Sequence, residues 1–124
     1  MTTSLIPWLN VRSGVEALQF YKDAFGAVEL YHLDGDNNTV VARLSIDGAE
    51  FWLSDESEAN PGPQTPAGGT VRMILTVTDP GKMFNHALNA GAREVFPITD
   101  EHGWSVGRLE DPFGHHWEIG KPLE

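Results

Sequence analysis

Apolar and polar residues alternate along this chain in short bursts, and twice the period widens to that of a helix. Residues 5–11 form a short apolar run that reads as a strand. Ser13 and Glu16 then stand at capping-box spacing, and Ala17, Leu18, Tyr21 and Phe25 fall near one face of a helix over residues 13–25 that Gly26 ends. Its aromatic stripe is expected to pack into the core. Residues 27–33, 39–46 and 50–53 read as three strands separated by a polar turn at 35–38 and by Asp47-Gly48. Residues 55–69, DESEANPGPQTPAGG, break the pattern, and their Pro, Gly and acidic content predicts a linker or mobile surface loop. A strand over 69–77 follows. Asp79 caps a second helix with Pro80 in its first position, and Met83, Phe84, Ala87 and Leu88 give it an apolar face up to Gly91. Residues 92–98, 104–109 and 116–119 read as strands between turns at 100–103 and 111–114.

The two halves match. Residues 26–30, GAVEL, answer residues 91–95, GAREV, at an offset of 65, and Asp47-Gly48 answers Phe113-Gly114 at 66. This agreement predicts a duplicated unit. Neither half, at roughly sixty residues, buries enough surface to stand alone. The expected fold is α+β: tandem βαβββ modules forming a curved mixed β-sheet with outer helices, its other face bending around a cavity. One domain then spans residues 1–124, with the first module at 5–54, the linker or active-site loop at 55–69 and the second module at 70–121.

Composition narrows the function classes. The chain has 124 residues, enough for one core. It contains no run of eighteen apolar residues, so no membrane span is expected, and its start lacks the basic flank and long apolar stretch of a secretory signal. Absence of cysteine excludes disulfides, thiolate ligands and cysteine nucleophiles, and cytoplasmic location is the expectation. A formal charge of −10 with no basic cluster argues against nucleic acid and anionic membranes, and favours a small neutral or cationic partner.

Three motifs carry a resemblance: PWLNV at 7–11, FYKDAFGA at 20–27 and DPFGHHW at 111–117. With them the chain resembles the vicinal oxygen chelate, or glyoxalase/bleomycin-resistance, superfamily, and within it the small PhnB-like branch. The resemblance makes the expected cavity a β-sheet cup, and it implies a homodimer whose cup-shaped sheets hold small molecules. It also implies two kinds of chemistry. Some members are metalloenzymes, such as glyoxalases, extradiol dioxygenases and fosfomycin-modifying enzymes, with His and Glu ligands on inward strands. Others sequester drugs such as bleomycin or mitomycin without reacting with them.

The resemblance places the usual metal-ligand positions at Ile6, Trp52, Arg72 and Glu118. Only Glu118 is an ordinary ligand, since an alkyl chain, an indole and a guanidinium offer no lone pair to a metal. Ile6 precedes Arg72 by 66 residues and Trp52 precedes Glu118 by the same interval. If the central strands face one cup, Arg72 and Glu118 pair where ligands would meet, and Ile6 and Trp52 form an apolar wall. Removing Arg72 from such a buried pair is expected to cost about 3–5 kcal/mol. No metal and no other cofactor are expected.

Strand parity sorts the remaining candidates. His116, Glu118 and Gly120 share one face, while His115, Trp117 and Ile119 share the other. His116 is then the cavity histidine, and His115 stays near a turn in which Asp111 bonds back to its own backbone. His32 is expected to point inward with Leu30, opposite to Tyr31. His86 lies at the polar boundary of the second helix, and His102 sits where it can close over a ligand. Ser54-Asp55-Glu56 reads as a solvated strand end. Spacing alone allows no Ser–His–Asp arrangement to be inferred, and the chain carries no phosphate-binding loop or dinucleotide fingerprint.

The ligand-binding candidates are Trp8, Asn10, Trp52, Arg72, Trp104, His116 and Glu118, in which rigid rings orient a planar molecule and polar groups set its direction. The favoured function is metal-independent small-molecule binding or drug sequestration. The enzyme alternative is a divalent-metal-dependent lyase, isomerase or dioxygenase acting on a small oxygenated substrate, with Glu118 and His116 assisting the ion. An assembly protein that has lost its pocket is the third class.

Overall fold

Ser13 accepts the backbone N–H of Glu16 and starts the first helix, α1 (Gly14–Phe25). The reciprocal half of the capping box is replaced, because the Glu16 carboxylate pairs with Arg12 at 2.7 Å. Gly26 closes α1 in the left-handed region at φ 68°, where a side chain would strain the backbone. Asp79 caps the second helix, α2 (Pro80–Ala90), by accepting the N–H of Lys82. The structure is a computed structural model describing residues 4–58, 60–64 and 71–124.

Around these helices run eight strands: β1 (Trp8–Val11), β2 (Val28–Asp34), β3 (Val40–Ile46), β4 (Ala49–Asp55), β5 (Arg72–Thr76), β6 (Arg93–Glu101), β7 (Trp104–Glu110) and β8 (His116–Pro122). They form two four-stranded sheets, ordered β1-β4-β3-β2 and β5-β8-β7-β6. Each is mixed, with one parallel pair (β1 with β4, β5 with β8) and antiparallel neighbours elsewhere. The tandem βαβββ duplication is therefore real, and the sheets are open. No helix among the described residues is long and apolar enough to cross a membrane.

Alternation along the strands shows which face is buried. Leu9, Val11, Val40, Ala42, Leu44, Phe51 and Leu53 of the first sheet join Leu75, Leu109, Trp117 and Ile119 of the second in one core with Phe20, Tyr21 and Phe25 of α1. Phe51 of the first sheet packs its ring edge to face on Trp117 of the second, 5.7 Å between centroids, and Phe25 closes on the same indole at 4.7 Å. The two sheets thus turn their covered faces toward one shared core. Trp52 and Glu118, each the neighbour in sequence of one of those rings, point the opposite way. Consequently the open faces look away from each other, and one chain does not bring Ile6 and Trp52 together with Arg72 and Glu118. The condition that both central strands face one cup is therefore not met within a single chain.

Two local expectations also change. Asp55 is a structural tie instead of a solvated strand end: its carboxylate accepts the N–H of Gly14 at 3.1 Å and of Val40 at 2.8 Å, joining α1 and β3 to the end of β4. A bulge in β2 between Glu29 and Tyr31 shifts the register, so Tyr31 pairs with Arg43 and joins the open face while His32 falls opposite buried Ala42. Of the segment 55–69, residue 59 and residues 65–69 lie outside the described residues. The described part leans on the junction of the modules, with Glu56 N–H on the Val11 carbonyl at 2.7 Å and the Gln64 side chain on the Pro112 carbonyl at 3.2 Å.

Candidate ligand-binding faces

Each open face is organised as a row of four side chains running across the strands. In the first sheet the register Trp8↔Trp52, Trp52↔Arg43 and Arg43↔Tyr31 sets these residues side by side. The indoles of Trp8 and Trp52 stack with centroids 5.2 Å apart and planes within 7°. Tyr31 tilts against Trp52 at 5.7 Å, and the Arg43 guanidinium lies 5.6 Å from the Trp52 ring. Trp8 Nε1 donates to the Ser54 hydroxyl at 2.8 Å, which fixes the outer indole's orientation. Arg43 pairs with Glu50. The result is an aromatic shelf whose end members are open to solvent, Trp8 at 50% and Tyr31 at 47% exposure.

The second sheet repeats the row with different chemistry: Ile74↔Glu118, Glu118↔Arg108 and Arg108↔Phe96. Arg72 and Glu118 form the expected ion pair. Its environment corrects the energetic expectation, since the Arg72 side chain is 54% exposed and water screens the attraction. His116 lies on the open face, as parity predicts, and its Nδ1 accepts from Arg108 Nε at 3.1 Å. Beside the row, Ile74, Phe96, His102, Trp104, Val106 and Glu118 border a mostly apolar recess of about 360 Å³. A larger groove of about 960 Å³ runs between the modules past Phe25, Leu75, Met83 and His86. It shares no lining residue with either row.

Of the candidate residues, Trp8, Asn10 and Trp52 belong to the first sheet, with Asn10 opposite Ser54. Arg72, Trp104, His116 and Glu118 belong to the second. Tyr31, Arg43, Phe96 and Arg108 were not among the sequence candidates. Two of them carry a signal in the sequence: VARL at 41–44 and VGRL at 106–109 stand 65 residues apart and place Arg43 and Arg108 at equivalent positions.

The DPFGHHW turn is structural. Asp111 is 3% exposed. Its Oδ1 accepts the N–H groups of Phe113 and His115 at 2.9 Å, and its Oδ2 accepts from the Tyr21 hydroxyl and, at 2.9 Å, from Trp117 Nε1. Burial and the adjoining Asp111 carboxylate push the Tyr21 phenol well above its usual value. His115 Nε2 reaches the Asn10 carbonyl at 2.9 Å and ties the turn to β1. On β2, a hydrogen bond to Asp34 raises the pKa of His32, and one from Lys22 lowers that of Glu29. Both groups lie at the surface, away from the rows.

Neither face of the single chain gathers the ligand set of a metal among its described residues. Among the described residues no group of three or more His, Asp or Glu side chains converges as an ion would need. Glu118 is engaged by Arg72, and His116 by Arg108.

The family known as the glyoxalase/bleomycin resistance protein/dioxygenase superfamily matches residues 5–119. The chain belongs to that superfamily. An uncharacterized relative in Mycobacterium tuberculosis is 41% identical over 127 residues, covering 97% of this chain and 75% of its own. Among solved structures of similar fold, a gene product of Arabidopsis thaliana superposes with a TM-score of 0.77 at 28% identity, over 98% of this chain and all of that one. TnmS3, an antibiotic binding protein from a Streptomyces species, superposes at 0.69 and 17% identity, with 98% of each chain covered. That last likeness is one of fold alone.

Proposed function

We propose that this member of the superfamily is a metal-independent small-molecule binding protein of the drug-sequestering kind, acting as a homodimer. The carrying observation is the exposed Trp8-Trp52-Arg43-Tyr31 row, a flat shelf with a polar anchor at one point. Planar rings bury area at low conformational cost. The ligand-binding residues are Trp8, Asn10 and Trp52 on one face and Arg72, Trp104, His116 and Glu118 on the other. An antibiotic-binding protein of similar fold supports the reading.

The orientation of the faces supports dimerisation. A single chain leaves both rows uncovered, with Trp8, Leu33, Ile74 and Phe96 each 40% exposed or more. Laying the first sheet of one copy opposite the second sheet of another would enclose a cup walled by both rows. In that arrangement residues 55–69 serve as a loop of the neighbouring site. The motifs at 20–27 and 111–117 support the PhnB-like branch, and lack of cysteine supports a cytoplasmic setting.

The test is a titration of chelator-treated protein with a panel of planar organic molecules, read by calorimetry and tryptophan fluorescence, with Trp52→Phe to locate the signal. Saturable binding, one site per cup, with no turnover and no gain on adding Mn, Ni, Zn or Fe is the expected result. Stoichiometric metal that switches on conversion of a substrate would overturn it.

A further inference from the structure

The five arginines of this chain divide four to one. Arg12, Arg43, Arg72 and Arg93 each pair with a carboxylate, of Glu16, Glu50, Glu118 and Glu110 respectively. Arg108 forms no ion pair among the described residues, although it is half-buried in the middle of the second open face. The duplication shows what is missing. Arg43 and Arg108 hold the same position in β3 and β7, and each has a diagonal neighbour on the adjoining strand, two residues before Trp52 or Glu118. In the first module that neighbour is Glu50, which neutralises Arg43. In the second it is His116.

His116 does not do the work of a carboxylate. A guanidinium only donates, so the accepting Nδ1 carries no proton and the ring's own proton sits on Nε2. The imidazole orients Arg108 through Nε but leaves its charge uncompensated. Both terminal nitrogens keep their donors free among the described residues. Glu118, the cross-strand neighbour, is held by Arg72. Glu101, at the exposed rim of the recess, is screened by water. Meanwhile Ile74, Glu118 and Phe96, which share the row with Arg108, also line the apolar recess.

We propose that Arg108 is the anchor for an anionic oxygen, a carboxylate or phenolate, carried by the flat apolar molecule that occupies the second sheet's open face. This rests on the binding function proposed above and assigns the ligand's charge. It revises the neutral-or-cationic expectation drawn from net charge, because formal charge acts over screened distances while a free guanidinium acts at contact. A planar guanidinium held at Nε presents its terminal donors as a fork, the geometry that grips a carboxylate through two parallel hydrogen bonds.

The experiment compares 2-naphthoate with its neutral isostere 2-naphthamide, by calorimetry on the full chain. The wild type is expected to prefer the acid by about tenfold or more, the range of one charge-assisted hydrogen-bond pair. Arg108→Gln should reduce the preference to within about twofold while sparing the amide. His116→Glu should also reduce the preference by supplying the missing carboxylate, and it retains the fold because the first module already carries that pair. Melting curves confirm that both variants are folded. Equal affinity of the wild type for acid and amide, or a preference that survives both substitutions, overturns the anchor and leaves the binding function standing. If neither probe binds the wild type, the anchor falls, and the wider panel of planar molecules decides the binding function separately.

Discussion

The Tyr21 hydroxyl donates to Asp111 Oδ2, a contact that locks the first helix to the turn before the last strand, ninety residues further along the chain. That carboxylate also receives Trp117 Nε1 and two backbone N–H groups of its own turn, so one nearly inaccessible side chain satisfies four donors. Asp111→Ala strands all four in the core. A stability loss of about 3 kcal/mol or more is expected, because each buried donor left without a partner forfeits its desolvation. Asp111→Asn keeps the acceptor oxygen and should cost less. Urea unfolding measures both, and a loss below about 1 kcal/mol for the alanine variant would show that the network is dispensable.

Tyr21 makes the fold sensitive to alkali. Its phenol titrates well above the ordinary value of 10.0 because ionisation would place a charge in the core beside Asp111. A pKa raised on folding means that the native state holds its proton more tightly than the unfolded state. The contribution is therefore complete below about pH 10, declines by about 1.4 kcal/mol per pH unit above it, and is lost as pH rises through the folded value. Tyr21→Phe should flatten that alkaline slope while lowering stability near neutrality, since Asp111 loses a donor. Unfolding free energies from pH 7 to 11 provide the comparison, and identical slopes would refute the assignment.

Arg72 and Glu118 pair, but on an open face. With Arg72 54% exposed, Arg72→Ala is expected to cost at most about 1 kcal/mol, not the several expected of a buried pair. The effect should shrink further in high salt. Thermal melts at low and high ionic strength test this. A loss of 3 kcal/mol or more would mean that water does not reach the pair even in the unliganded cup.

Much of the scaffold was legible because its signals are local: the Ser13 and Asp79 caps, the closing Gly26, and strands bounded by Asp47-Gly48 and the 111–114 turn. The site was legible only in part. Parity put His116 on the same face as Glu118, and it failed at Tyr31 because a single-residue bulge inverts every side chain beyond it without leaving a compositional trace. The division into two outward faces depends on Phe51 meeting Trp117 across the core, a tertiary contact that no periodicity encodes. Asp55 looked solvated because its partners, the backbone groups of Gly14 and Val40, are remote in sequence.

Trp52 separates binding from folding. It sits in the middle of its row, between Trp8 at 5.2 Å and Arg43 at 5.6 Å, with Tyr31 tilted against it at 5.7 Å. Trp52→Ala removes the centre of the shelf, so affinity for a planar probe such as 2-naphthoate should fall about tenfold or more, the worth of one aromatic stack plus its buried area. Stability should fall by only about 1–2 kcal/mol, because the indole faces outward and leaves the shared core intact. Trp8→Ala, at the half-exposed end, should weaken binding with a smaller stability cost. Calorimetry and urea unfolding on the same preparations measure the two effects separately. Unchanged affinity in both variants would move the ligand off the first sheet, whereas collapse of the fold would make these rings core residues and remove the shelf as a binding surface.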